Sequence, residues 1–248
     1  MAMNINQLTQ KLISAVLSLS LVLIPHLTTK VLADSNSVNG FEPAPGKDAP
    51  RGGTVGGGSR PVASACLANP SAKSATLTAL SPSDRVGLTQ SNRPNLFVNL
   101  PQTTAQTIEF SLFDEKMNGI YQTNILVSKS GGLVSIALPK DALSLAKDKP
   151  YYWTVALVCN SIDRTEDLVV GGWVEYTEPS DNLKQQLANA TEIEKASLYA
   201  QQGFWYDAVN LLQGISQTEP NNPVLANNWR ELLKSVGLEA ITTAKLGN

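Results

Sequence analysis

Histidine is almost absent from the 248 residues: the chain has one, His26. It lies in an N-terminal segment that reads as a removable leader, so the remainder holds no imidazole. Ser-His-Asp and Cys-His nucleophile systems are thereby excluded, as are zinc sites that use histidine. Cysteine is nearly as scarce. Cys66 and Cys159 are the only two, too few for a Cys₄ metal site or an iron–sulfur cluster. Charged residues make up 16% of the chain, and no run of Lys and Arg could follow a phosphate backbone, which leaves out nucleic acid as a partner. Long apolar runs are missing too: none reaches the roughly 20 residues that cross a bilayer as a helix. No catalytic constellation, cofactor or metal is expected.

The leader itself is easily read. Lys11 is followed by an uncharged run from Leu12 to Ile24, then Pro25, and Val31-Leu32-Ala33 supplies a small-residue end. A basic start, a short apolar middle and such an end describe a secretory signal peptide over residues 1–33, with cleavage expected after Ala33. Its removal takes Lys11 and Lys30 and no acid, leaving 17 basic against 21 acidic residues, a net charge of −4. The expected location is periplasmic or extracellular, with no membrane span once the leader is gone. An oxidising compartment and an even cysteine count predict a disulfide between Cys66 and Cys159.

Residues 34–65 are rich in Gly, Pro, Ser, Asn and Ala and show no apolar period, so they read as a flexible tail. Within it RGGTVGGGSR, residues 51–60, asks whether phosphate is bound. Gly53 to Gly58 has the glycine spacing of a phosphate loop, but Ser59-Arg60 stands where Lys-Ser/Thr is required. Neither a strand nor a helix flanks it, so no phosphate site follows.

Residues 66–178 change to short alternating runs. Strands are predicted at Ala75–Leu80, Asn95–Leu100, Thr107–Asp114, Ile120–Val127, Gly132–Leu138, Pro150–Cys159 and Asp167–Glu178, with Asn118-Gly119 as a two-residue hairpin turn. In YYWTVALVC, the two-residue period puts Tyr151, Trp153, Val155, Leu157 and Cys159 on one core-facing side. The expectation is a seven-stranded antiparallel β-sandwich of fibronectin or immunoglobulin type.

After Pro179 the period becomes helical, giving an α+β chain overall. Ser180 or Asp181 caps a first helix, and Thr191 to Glu194 is a capping box opening a second. A third spans about Phe204 to Gln217. Asn222-Pro223 starts a fourth, which ends at Gly237 with Leu238 making the apolar cap contact. Ala196, Tyr199, Gly203, Ala208, Leu212 and Pro220 follow the spacing of one tetratricopeptide-like repeat, so residues 179–248 read as a small helical region of that kind.

LTAL with a following Pro, NRPNLFVNLP, YYWTVALVC, GGWVEY and WRELLKSVGL stand in this order along the chain. In this layout it resembles the cyanobacterial exported proteins of domain of unknown function family 928. The resemblance implies an architecture and a compartment, and it carries no catalytic residue.

Two surfaces are candidates for function. Phe204-Trp205-Tyr206 cannot all face one core, because successive helical residues differ by about 100°; Phe204 or Tyr206 is therefore expected to remain partly exposed as a partner surface. Trp173 and the loop acids Asp163, Glu166 and Asp167 are the candidate ligand surface. The expected function is a non-enzymatic module docking an extracytoplasmic protein. A small-ligand or glycan-binding sandwich is the alternative, and a hydrolase the third reading. A tail of this composition should be dispensable: removing residues up to Arg60 is expected to move the melting temperature by no more than about 2 °C. Replacing Cys66 by Ser should cost on the order of 4 kcal/mol in urea denaturation, through the long loop it releases.

Overall fold

The computed structural model describes residues 40–50, 66–68, 76–139 and 143–241. The leader and RGGTVGGGSR lie outside the described residues. Eight strands stand among those described: β1 (Thr78–Ala79), β2 (Val86–Thr89), β3 (Asn95–Leu100), β4 (Thr107–Phe113), β5 (Gly119–Leu126), β6 (Gly132–Ala137), β7 (Pro150–Leu157) and β8 (Leu168–Tyr176). Four helices follow: α1 (Asp181–Ala188), α2 (Glu192–Gln201), α3 (Trp205–Thr218) and α4 (Pro223–Lys234).

The class is α+β, but the expected seven-stranded antiparallel sandwich is corrected in two respects. The strands form a three-stranded sheet, β1-β3-β6, and a five-stranded sheet, β2-β8-β7-β4-β5. The unexpected strand is β2, which pairs parallel to β8 with Val86 opposite Trp173 and Thr89 opposite Tyr176. All four of its residues are buried, so it has no polar face from which alternation could be read. In β4 the two-residue period holds throughout, and in β7 one face is fully buried from Trp153 onward. Ile108, Phe110 and Leu112 of β4 and Trp153, Val155 and Leu157 of β7 are essentially inaccessible, and they join residues of both sheets and of the helices in one core. Cys159 lies two residues beyond the end of β7, half-buried against that core. It is bonded to buried Cys66, with the Cα atoms 5.0 Å apart.

The helix ends follow their local chemistry. Ser180 Oγ accepts from Leu183 N, the Thr191–Glu194 capping box is complete, and Asn222 Oδ1 accepts from Val224 N and Leu225 N. At the end of α4, Gly237 has φ +77 and Leu238 N donates to Leu233 O at 2.9 Å. The same device closes α2. Gly203 sits at φ +80, Phe204 N donates to Tyr199 O at 2.9 Å, and the Phe204 and Tyr199 rings pack 5.9 Å apart. This is a Schellman cap with its apolar contact.

Helix α3 lies against β2. Gly87 makes the approach possible, since a Cβ there would meet Tyr206 Cε2 at 2.7 Å and Trp205 Cβ at 3.2 Å. Tyr206 thereby reaches under the sheet: its hydroxyl accepts from Trp153 Nε1 at 2.8 Å, donates to Trp173 O at 3.0 Å and lies 3.1 Å from Ser81 Oγ. Trp205 Nε1 donates to Leu80 O at 2.8 Å.

The largest correction concerns the tail. Residues 40–50 form a strap packed on the helices and on β2. Pro45-Gly46 makes a turn, with Gly46 at φ +72 and Lys47 N donating to Ala44 O, as a type II turn requires. Before it, Phe41 is buried edge-on against Trp205 at 5.2 Å, Phe41 N donates to Ser235 Oγ, and Glu42 N donates to Ala200 O. After it, Lys47 Nζ pairs with the buried carboxylate of Glu175 at 2.5 Å. Lys47 O accepts from Val86 N, Asp48 pairs with Arg85, and Ala49 N donates to Asp84 O. The flexible-tail expectation is therefore wrong for this segment: its composition is loop-like, but its contacts are long-range. Deleting residues through Pro50 is expected to destabilise the protein by more than Phe41→Ala alone. That single change should cost about 3 kcal/mol by urea denaturation, because the deletion also strands the buried Glu175 carboxylate.

Candidate functional site

The five-stranded sheet has two edges with opposite fates. At β2 the outward amides are taken: Val86 N donates to Lys47 O and Leu88 N to Gly203 O, both at 2.9 Å. The strap and the α2–α3 turn thus close that edge. At β5 the only strand paired, among the described residues, is β4.

The β4–β5 connection shows how this edge is held. Asp114 Oδ1 accepts from Lys116 N and Asn118 N, each at 2.8 Å, and Oδ2 accepts from Asn118 Nδ2 at 2.8 Å. The Asn118 side-chain amide is the main reason that the Asp114 carboxyl titrates below its usual range. Met117 takes φ +63, so the expected Asn118-Gly119 two-residue turn is replaced by a longer loop tied together by Asp114. The register shifts there, with Leu112 opposite Tyr121 but Phe113 opposite Gly119. Ile120 is the extra residue of a bulge.

Beyond the bulge β5 alternates. Tyr121, Thr123 and Ile125 are half-buried on the core side, while Ile120, Gln122, Asn124 and Leu126 are exposed. Leu126 is 82% and Ile120 40% exposed, unusual for large apolar side chains on an edge. Next to Ile120 the sheet face forms a recess of about 310 Å³ lined by Ser111, Phe113, Gly119, Ile120, Tyr121 and Gln122, at the lower end of ligand-pocket size. Phe113 joins it to a small apolar patch of Val86, Tyr152 and Trp173, which Ala49 of the strap packs against.

The residues singled out from sequence are placed differently from expectation. Phe204 and Tyr206 are buried, 4% and 1% exposed, so neither is a partner surface. The first turn of α3 meets three partners at once: Phe204 caps α2, Trp205 meets the strap, and Tyr206 enters the sheet core. Burial is also what drives the Tyr206 hydroxyl pKa upward. Trp173 is 2% exposed and packs its ring, tilted, 5.1 Å from that of Tyr152, so it presents no ligand surface. It also lies five residues along β8 from Leu168, where the acidic loop ends, roughly 17 Å away at the strand rise.

The loop acids are engaged in holding the loop. Asp163 Oδ1 accepts from Thr165 N and Thr165 Oγ1, and the latter bond is the main cause of its lowered pKa. Asp167 accepts from Cys159 N at 3.0 Å and pairs with Arg164. Arg164 also forks onto Glu109 at 3.3 and 3.2 Å and holds that carboxyl below its usual range. Glu166 is exposed in the short 3₁₀ turn between them. Among the described residues no three His, Cys, Asp or Glu side chains are grouped to hold a metal ion.

One group escaped sequence reading. Asp207, in the first turn of α3, accepts from Gln90 N at 3.0 Å and from the Thr89 hydroxyl. Beside it Gln90 Nε2 donates to Tyr199 OH at 2.5 Å. Burial raises the Asp207 pKa to about 6. An acid at a helix start is common, and nothing local marks this one as bridging to β2.

A model of the family described as Domain of Unknown Function (DUF928) matches residues 55–246, and the chain belongs to that family. No curated protein matches it. Among the described residues no helix is long and apolar enough to cross a membrane.

Asp207 gives a pH prediction. A carboxyl whose folded pKa lies above its unfolded value favours folding while protonated, and that contribution fades as pH rises from about 4 through about 6. Asp207→Asn keeps an acceptor for Gln90 N without the half-buried charge. Its stability relative to the natural protein should therefore improve between pH 4 and pH 7, by up to roughly 3 kcal/mol. Chemical denaturation at a series of pH values checks this; a pH-independent difference would show that the carboxyl is not buried as described.

Proposed function

We propose that the protein is an exported, non-catalytic docking module that receives a partner polypeptide along β5. The observation that carries this reading is the asymmetry of the sheet. One edge is closed by the chain's own strap and turn, while the other is an eight-residue strand, GIYQTNIL, without charge or proline. Edge strands are ordinarily blunted by Lys, Pro or a covering element; among the described residues only a bulge at the loop end interrupts this one. The partner is read as an extended segment with alternating apolar residues. It adds as a sixth strand and places one apolar side chain in the recess beside Phe113 and Ile120, with backbone hydrogen bonds supplying affinity and the recess supplying selectivity.

Export and absence of catalysis belong to the same reading. Support comes from the leader sequence, the Cys66–Cys159 disulfide and the lack of histidine after residue 33. Selection of random peptides on the purified protein tests the docking edge. Recovered sequences should alternate apolar residues and lose at least tenfold in affinity for Ile120→Lys/Leu126→Lys. Peptides that bind the variant undiminished would remove β5 as the site.

A further inference from the structure

The edge strand is self-complementary. Val127 N donates to Gln106 O at 3.0 Å, and Gln106 is the next residue in register after the Thr107–Leu126 pair. By the alternation of an antiparallel ladder, Tyr121, Thr123 and Ile125 bond to β4, while Gln122, Asn124 and Leu126 turn their N–H and C=O to the open edge; Ile120, in the bulge, adds its exposed side chain at the end of that row. A second antiparallel copy can pair there only if even residues face even residues. Centred on Thr123, such a pairing sets Gln122 against Asn124 in hydrogen-bonded positions and Ile120 against Leu126 on the outer face. It sets Tyr121 against Ile125 and Thr123 against itself on the inner face. Each is a favourable class of cross-strand pair: apolar with apolar, aromatic with β-branched, amide with amide, and Thr with Thr. Centring on Gln122 instead puts Ile120 opposite Asn124, and centring on Asn124 puts Leu126 opposite Gln122. Only the Thr123 centre matches the chemistry along the strand.

We infer that the occupant of this edge is a second copy of the chain, paired antiparallel about a two-fold axis at Thr123, so that two five-stranded sheets become one of ten strands. The inference rests on the reading of β5 as a docking edge and names its partner. It also accounts for two features together. The highly exposed Leu126 of each copy comes opposite Ile120 of the other, at the recess lined by Ile120, Gln122 and Phe113. No charge of either copy is placed opposite a like charge, because the strand carries none. A single edge buries less than the roughly 1,200 Å² of a standard interface, so the dimer should depend on concentration.

Sedimentation velocity of the purified, disulfide-intact protein from about 1 to 200 μM is expected to show a monomer–dimer equilibrium, in the range ordinary for small interfaces. Ile120→Lys/Leu126→Lys places Lys opposite Lys at both ends and should weaken the dimer at least tenfold. Ile120→Lys/Leu126→Glu places Lys opposite Glu twice and should restore it. Thr123→Cys should give a covalent dimer under mild oxidation, since non-hydrogen-bonded partners lie about 4.5 Å apart at Cα, within disulfide reach. Equal weakening by both double variants, or no crosslink at residue 123, overturns this pairing. A protein monomeric at every concentration whose peptide binding is still lost in the Lys/Lys variant overturns the second copy as occupant and leaves the docking edge standing. A dimer that follows the charge pattern in a protein that selects no peptide supports the inference and removes the peptide partner.

Discussion

The hydroxyl of Tyr206 is the point on which the two halves of the molecule depend. A phenol fully withdrawn from water must find partners, because an unmade hydrogen bond there costs about 1–3 kcal/mol. Tyr206 finds them in Trp153 of β7, the Trp173 carbonyl of β8 and Ser81 beside β1. Helix and sheet are thus joined by directional bonds inside an apolar core, where sliding one past the other would leave indole and phenol unsatisfied. Glycine makes the geometry possible at two positions. Gly87 lets α3 approach β2, and Gly172 leaves room for Ser81 beside Trp153.

From that junction the asymmetry of the sheet follows. Fixing α3 on β2 brings the Gly203 carbonyl to Leu88 N and leaves a surface on Trp205 that Phe41 covers. The strap then continues along β2 and brings Lys47 to the buried carboxylate of Glu175. Among the described residues, the strap and the α2–α3 turn thus cover one edge of the sheet. The hairpin at the other side, organised by Asp114, has only β4 to pair with among the described residues. Ile120 and Leu126 of β5 are left facing outward.

Much of this was legible where the determining chemistry is local. The Thr191–Glu194 box and Asn222-Pro223 marked helix starts that the structure places at those residues, and Gly237-Leu238 marked the cap that closes α4, three residues beyond its last helical residue. The alternation in β4 and β7 identified their buried faces, and the cysteine count gave the disulfide. What failed depended on partners far along the chain. Phe41 and Lys47 look like tail residues until Trp205 and Glu175 are brought to them; Pro45-Gly46 was the only local sign of order. For Phe204 and Tyr206 the helical geometry was right, but a helix start can be enclosed on several sides at once. The open β5 edge was half visible. Its alternation could be read from GIYQTNIL, but whether a strand is central or peripheral is a property of topology.

The strap also bears on the order in which the chain can be completed. Residues 41 and 42 bond to Ser235 and Ala200, so the earliest described residues are held by elements close to the last ones. For a polypeptide emerging amino end first, Lys47 to Ala49 meet partners at Asp84 to Val86 early, whereas Phe41 and Glu42 must wait for Ser235 and Ala200. Closure of so long a loop costs entropy before any contact repays it. The two ends of the strap thus have partners at very different separations along the chain, near for Lys47 to Ala49 and far for Phe41 and Glu42.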